Sequence, residues 1–262
     1  MSESPKYFDE FVNLWESSSD EISEEKYISQ SIALGEYAKL NNQFIAVFNA
    51  KNQQTLYLSD NYLEVLGYTC SESDYKKRSS FYWMRDLPIE QSWFFLKMSV
   101  FFRTRVQPIL KGKMQSKNLN WFVHNFKLKP MGGNGQIKHL SILGQGLEIG
   151  ENGNLLILMT IIKETSSFIK NKNTWWAEFR VNTEHVFMYH HDIGKFQTGS
   201  ILSDREKEVL KLVEAGFDSH SIAEHLDISS HTIDTHRKNM LDKTGVKDFS
   251  SLIQLCKEGR VI

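Results

Sequence analysis

Apolar and polar positions change period along the chain, and each change marks an element. Phe8, Phe11, Val12 and Trp15 recur at the spacing of an amphipathic helix, inside an acidic stretch whose one base is Lys6. Its use would be docking on the following domain or on a second copy, or it is a plain N-terminal extension. Phe44 to Asn49 is an apolar run, Ala50 to Gln53 turns, and Thr55 to Ser59 alternates, which predicts a hairpin. Asn61 to Tyr68 reads as a short helix stopped by Gly67. A longer helix is expected from Ile89 to about Val106, closed by Gln107-Pro108. Three strands follow at 121–129, 137–147 and 155–162, with turn chemistry at Gly132 to Gly135 and at 150–154. Residues 174–191 predict a further hairpin, or one strand plus a coupling segment. From Leu202 to the end every pattern is helical.

The helical part is punctuated by caps. Ser203 stands three residues before Glu206, a capping box, ahead of Val209, Leu210 and Val213. Ala215-Gly216 ends this helix. Ser219 is the expected cap of a short second helix holding Ile222, Ala223 and Leu226. Asp227-Ile228-Ser229 makes a tight turn, and Ser229 or Ser230 caps a third helix that ends at Gly245. Asp248 caps a fourth, closed at Gly259. Two helices joined by a short turn make a helix-turn-helix, whose second helix enters the major groove by its N-terminal residues. At 3.6 residues per turn Asp234, Thr235 and Lys238 share the face opposite the inward Ile233, and Arg237 lies nearer the flank. Thr232 falls in the first turn, where a hydroxyl and free N–H groups can hold a phosphate.

These elements predict an α+β N-terminal domain, an antiparallel sheet with helices, followed by an all-α four-helix domain. The expected boundaries are a helical extension over 1–35, a sensor domain over 36–192, a linker over 193–201 and the bundle over 202–262. Aromatic usage supports the division, because of 32 Phe, Tyr and Trp only Phe217 and Phe249 lie beyond residue 198. A net charge of −1 implies neither a membrane surface nor a polyanion as partner for the whole chain. From Gly199 onward nine Lys and Arg face eleven Asp and Glu, a balance of −2, so any non-specific pull on DNA is modest. Two cysteines, Cys70 and Cys256, fall in different domains, which suits a reducing, cytoplasmic setting. The opening residues are not those of a signal peptide, and the apolar run 155–162 is too short to span a bilayer.

The C-terminal segment resembles the LuxR-type helix-turn-helix family of transcription regulators. Leu202, Arg205-Glu206, Glu208-Val209-Leu210, Gly216, Ile222-Ala223, Leu226, Ile228-Ser229, Thr232-Ile233, His236, Lys243 and Val246 carry the likeness, in order and without gaps. The resemblance implies that the third helix reads DNA and that the fourth pairs two domains. It sets Asp234, Thr235 and Lys238 where bases are contacted, and Thr232, Arg237 and Lys243 at or near the DNA backbone. Asp234 departs from the family's usual Lys or Arg; it repels phosphate but can accept a hydrogen bond from cytosine N4. Residues 38–168 resemble the PAS sensor fold through Asp60-Asn61-Tyr62, Leu66-Gly67-Tyr68, Asp86-Leu87-Pro88 and Ile162-Lys163-Glu164-Thr165. In that fold a ligand or cofactor can sit between sheet and helices, and many members only dimerise.

Other chemistry is weaker. The surroundings of Cys70 do not reproduce the flavin-bonding motif of light-sensing PAS domains, and the long helix has no axial His for heme. His124 and His139, on strands, are expected to be satisfied by hydrogen bonds. His190-His191-Asp192 invites a metal, yet neighbours on a strand point to opposite faces, so no metal site is expected. The aromatics along 81–101 read mainly as core. No catalytic motif is present, so no enzyme and no cofactor are expected. The reading is a cytoplasmic, sequence-specific DNA-binding transcription regulator. Double-stranded DNA and a second copy are its partners, with a small-molecule ligand in the sensor domain and RNA polymerase as further candidates. The alternative is a protein-interaction module whose bundle reads no DNA, with a cofactor photoreceptor or enzyme behind it.

Overall fold

The computed structural model describes residues 24–52, 54–68, 87–111, 118–130, 136–182 and 185–262. The Phe8–Trp15 stripe, Cys70, Asp86 and the Gly132–Gly135 turn lie outside the described residues. Helix α1 (Glu24–Leu40) leads into β1 (Gln43–Asn49) and β2 (Gln54–Leu58), then the short α2 (Tyr62–Leu66), which stops at Gly67 with φ 76°. Next come α3 (Ile89–Phe101), a π turn over Phe102–Val106 and α4 (Gln107–Leu110). Strands β3 (Leu119–Leu128), β4 (Lys138–Ile149), β5 (Leu155–Glu164), β6 (Trp176–Val181), β7 (His185–His190) and β8 (Phe196–Thr198) follow. They form one eight-stranded sheet in the order β2-β1-β5-β4-β3-β6-β7-β8, with every pairing antiparallel. The chain closes with α5 (Asp204–Glu214), α6 (Ser219–Leu226), α7 (Ser230–Thr244) and α8 (Phe249–Glu258).

Strand alternation sends successive side chains to opposite faces, and here both faces are covered. One face carries Phe44, Ala46, Val123, Phe126 and Phe179 against α2–α4. Phe94, Phe95 and Phe101 of α3 fill that space, and Phe101 stacks on Phe196 of β8 with centroids 4.0 Å apart. The 89–101 aromatics are thus largely core, though Trp93 is exposed. On the other face α1 lays Tyr27 and Ala38 over Ile45, Val47 and Ile157. Beside it, the four-helix bundle covers Phe122 and Trp176, which share a single apolar cluster with Val209, Ile222, Ile233, Met240, Leu252 and Val261.

Four sequence expectations change. The long helix does not close at Gln107-Pro108 but runs to Leu110. The π turn before it lets Gln107 N–H reach back to Phe102 O, and this widened ladder absorbs a residue with no N–H to give. Helix α1 spans the expected boundary at 35/36 because its buried face belongs to the sheet. The expected linker contains β8, paired with β7 through Phe187↔Thr198 and Tyr189↔Phe196. Finally, Asp218 rather than Ser219 caps α6, its carboxylate accepting the Ser221 N–H at 2.8 Å.

His124 also departs from expectation. His139 Nδ1 meets Asn125 Oδ1 at 2.6 Å, as a strand His should find a partner. His124 is fully buried, and neither ring nitrogen has one; the neighbouring Trp176 Nε1 has none either. Burial, and then the nearby His139, push the His124 ring down to about 3, so it is neutral at physiological pH.

Candidate nucleic-acid interface

The bundle forms as its caps dictate. Ser203 accepts the Glu206 N–H while Glu206 reaches back to the Ser203 N–H, closing the capping box at α5. Asp227 takes the left-handed conformation, φ 52°, and sends Ile228 N–H to Ala223 O, which turns α6 sharply into α7. Ser229 Oγ then accepts the Thr232 N–H at 3.1 Å and contacts the Thr232 hydroxyl at 2.8 Å. Ile233, Met240 and Thr244 are the buried side of α7, and Gly245, φ 73°, ends it.

Opposite that buried side, Asp234, Thr235 and Lys238 are exposed together. Thr235 Oγ1 donates to His231 O, so its hydroxyl hydrogen is used and its oxygen is left only to accept. Thr232 sits half-buried in the first turn beside the cap. Arg237 is held over the Phe249 ring, 4.6 Å from its centroid, so its guanidinium lies on the flank of α7. Lys243 is not with this group: its Nζ meets Glu206 Oε2 at 2.5 Å inside the bundle. Burial raises the Glu206 carboxyl, but the Lys243 ammonium and the Ser203 N–H and hydroxyl outweigh it and hold the group below its ordinary value. Ser230, weighed from sequence only as a cap, and His231, not singled out there, are also exposed at the helix start. Identifying Ser229 as the cap is the signal that would have found them, because the next residues then carry the free N–H groups.

The far end of α7 is fastened to the sheet. Gly245 O accepts from Lys170 N at 2.9 Å and Asn171 N at 3.0 Å, Ile169 bridges Val246, and Lys247 N donates to Phe168 O at 2.9 Å. Gly245 lies so close to Thr174 that a Cβ would come within 2.6 Å of its side chain. Lys163 pairs with Glu258 at 2.7 Å, Arg180 donates to Val261 O at 3.2 Å, and His190 Nε2 meets Lys243 O at 3.1 Å. The sheet therefore fixes where α7 lies while leaving its N-terminal half outward. Cys256 is buried in the bundle, where burial pushes its thiol up to about 12 and makes it inert. Among the described residues no helix is long and apolar enough to cross a membrane.

Residues 200–256 match the family described as bacterial regulatory proteins, luxR family. The transcriptional regulatory protein FixJ of Rhizobium meliloti (strain 1021) is 41% identical over 58 residues, 22% of this chain and 28% of that protein. The HTH-type transcriptional regulator MalT of Cronobacter sakazakii (strain ATCC BAA-894) is 24% identical over 152 residues, 58% of this chain and 16% of that protein. The chain thus matches less than a third of the length of either curated relative. Among solved structures, the Vibrio cholerae VqmA dimer in the absence of target DNA is 15% identical, with 85% of this chain and 86% of that one covered and a TM-score of 0.31. That superposition is too poor to bear on the arrangement of this chain.

Proposed function

We propose that the chain, whose residues 200–256 match the luxR family of bacterial regulatory proteins, is a sequence-specific DNA-binding transcription regulator whose N-terminal sheet domain is a PAS-like sensory or dimerisation input. One observation carries the reading: α7 exposes Asp234, Thr235 and Lys238 on one side while Ile233 and Met240 anchor the other. Lys238 donates to a purine acceptor, Asp234 accepts from a cytosine amino group, and Thr235 offers a hydroxyl or a methyl contact. Thr232 and Arg237 touch phosphate and set register. Lys243 acts from behind, holding Glu206 and hence the start of α5 against the end of α7. The order of two strands, helices and three strands supports the PAS-like assignment of the input domain. The regulator works in the cytoplasm on double-stranded DNA as a homodimer, with half-site spacing set by dimer geometry. Its input, through a small-molecule ligand, a partner or dimer contacts, alters how the two reading helices are spaced.

Selection from random duplexes by the full chain tests this. Enrichment of one motif, weakened by Lys238→Ala at particular base positions and by Arg237→Ala uniformly, is the expected result. No enrichment at low salt overturns it. The acidic balance of the bundle favours one competitor, a protein-interaction module; partner binding indifferent to salt and to Lys238→Ala would establish that instead.

A further inference from the structure

The turn after β7 gathers three metal-ligating side chains that strand geometry alone would have sent apart. β7 ends at His190, and His191 already belongs to the turn, so alternation no longer holds there. The two imidazole centroids lie 4.7 Å apart, and one ligand atom from each of His190, His191 and Asp192 falls within 4.8 Å of the others. His191 Nε2 is 3.0 Å from Asp192 Oδ1, and His190 Nδ1 is 3.7 Å from Asp192 Oδ2. Those separations run to the two oxygens of one carboxylate, and two ligands on a tetrahedral zinc ion at roughly 2.0–2.1 Å each stand about 3.4 Å apart, so small side-chain rotations bring one Asp192 oxygen and the two ring nitrogens onto a common ion. We propose that His190, His191 and Asp192 form a three-ligand site for a divalent transition metal ion of the imidazole-preferring kind, with Zn²⁺ the leading case.

The hydrogen bonds around the rings favour this use at His190. Its Nε2 faces the Lys243 carbonyl at 3.1 Å, and only an N–H can face a carbonyl oxygen there. The Nε2 therefore carries the proton, and Nδ1 presents its lone pair on the Asp192 side, where a long 3.3 Å contact from the Asp192 N–H is all it accepts. A ring N–H on a backbone carbonyl is the usual outer support of a metal-bound His. His191 needs one change: its Nδ1 accepts the Trp175 N–H at 3.4 Å, so ligation through Nε2 moves the ring proton to Nδ1 and opens that long contact. Three protein ligands leave a fourth position for water. Lys243 lies in the last turn of α7, so a metal that locks the His190 ring also tightens the sheet–bundle contact. The proposal does not depend on DNA reading.

The test is calorimetric titration of the tag-free, chelator-stripped full chain with ZnCl₂ and, separately, NiCl₂. Expected are one ion bound per chain and at least about 10-fold weaker binding in both His191→Gln and Asp192→Asn, with unchanged circular dichroism. His220→Gln, which removes the imidazole 3.6 Å from Glu224 on α6, leaves the affinity unchanged. Zn²⁺ should also raise the melting temperature of the wild type and not that of His191→Gln. No saturable uptake of either ion, or uptake that survives both site variants, overturns the proposal. Because no DNA enters these measurements, their failure and a failed operator selection are separate results.

Discussion

His124→Leu should make the protein more resistant to mild acid. In the folded chain the ring is driven down to about 3 by burial and the nearby His139, while an unfolded His titrates near 6.5. Between those values the unfolded chain holds one more proton than the folded one. Stability is therefore lost as pH falls below about 6.5, by about 1.4 kcal/mol for each pH unit. At pH 5 the wild type pays about 2 kcal/mol that the variant does not. His139 and His191 are also pushed down, chiefly by burial, and steepen the same window in both proteins. The lowered carboxyls of Glu206, Asp218 and Asp248 lose their contribution only further down, through their own range below about 4.5. The difference between wild type and variant thus isolates His124. Leu is close in volume and removes two buried nitrogens without partners, whose desolvation costs on the order of 1–3 kcal/mol. The variant should be at least as stable at pH 8 and about 2 kcal/mol further ahead at pH 5. Urea unfolding followed by far-UV circular dichroism at pH 8, 7, 6 and 5 measures it. An advantage that does not grow as pH falls would refute the reasoning.

Other substitutions probe the seam, the caps and the reading face. Gly259→Ala places a Cβ 2.8 Å from two atoms of the buried Phe122 ring at an unstrained backbone φ of −79°, so the cost is steric, about 1–3 kcal/mol in urea unfolding. Adding Phe122→Leu should return part of that loss, as residues in contact do not add. Ser203→Ala removes the acceptor of the Glu206 N–H and should lower bundle stability by about 1 kcal/mol in thermal melts. In fluorescence anisotropy on a selected duplex, Lys238→Ala should cost about 1–3 kcal/mol of discrimination at one base pair. Asp234→Asn should strengthen binding to unrelated duplexes, since it takes a carboxylate away from the phosphates.

The bundle was legible because its signals are local. A cap, a turn and a stop depend on residues within one helical turn, so Ser203, Ser229, Gly245 and Asp248 announce themselves in a row of letters. The outward side of α7 follows from the 3.6-residue period as soon as Ile233 and Met240 are taken as inward. The β1–β2 hairpin and the strands 119–128, 138–149 and 155–164 are readable for the same reason. What the chain cannot state locally is which of its surfaces meet. Nothing near Phe122 or Trp176 says that the second face of their sheet will be closed by the last helices. That contact decides that His124 is buried without a partner, that Lys243 turns inward to Glu206, and that His190 is tied to the end of α7. The convergence of His190, His191 and Asp192 depends on where β7 stops, and strand pairing sets that limit. Residue patterns determine elements, whose energies are short-ranged; burial, proton affinity and ligand geometry depend on groups far apart in sequence, and only the assembled fold brings them within reach.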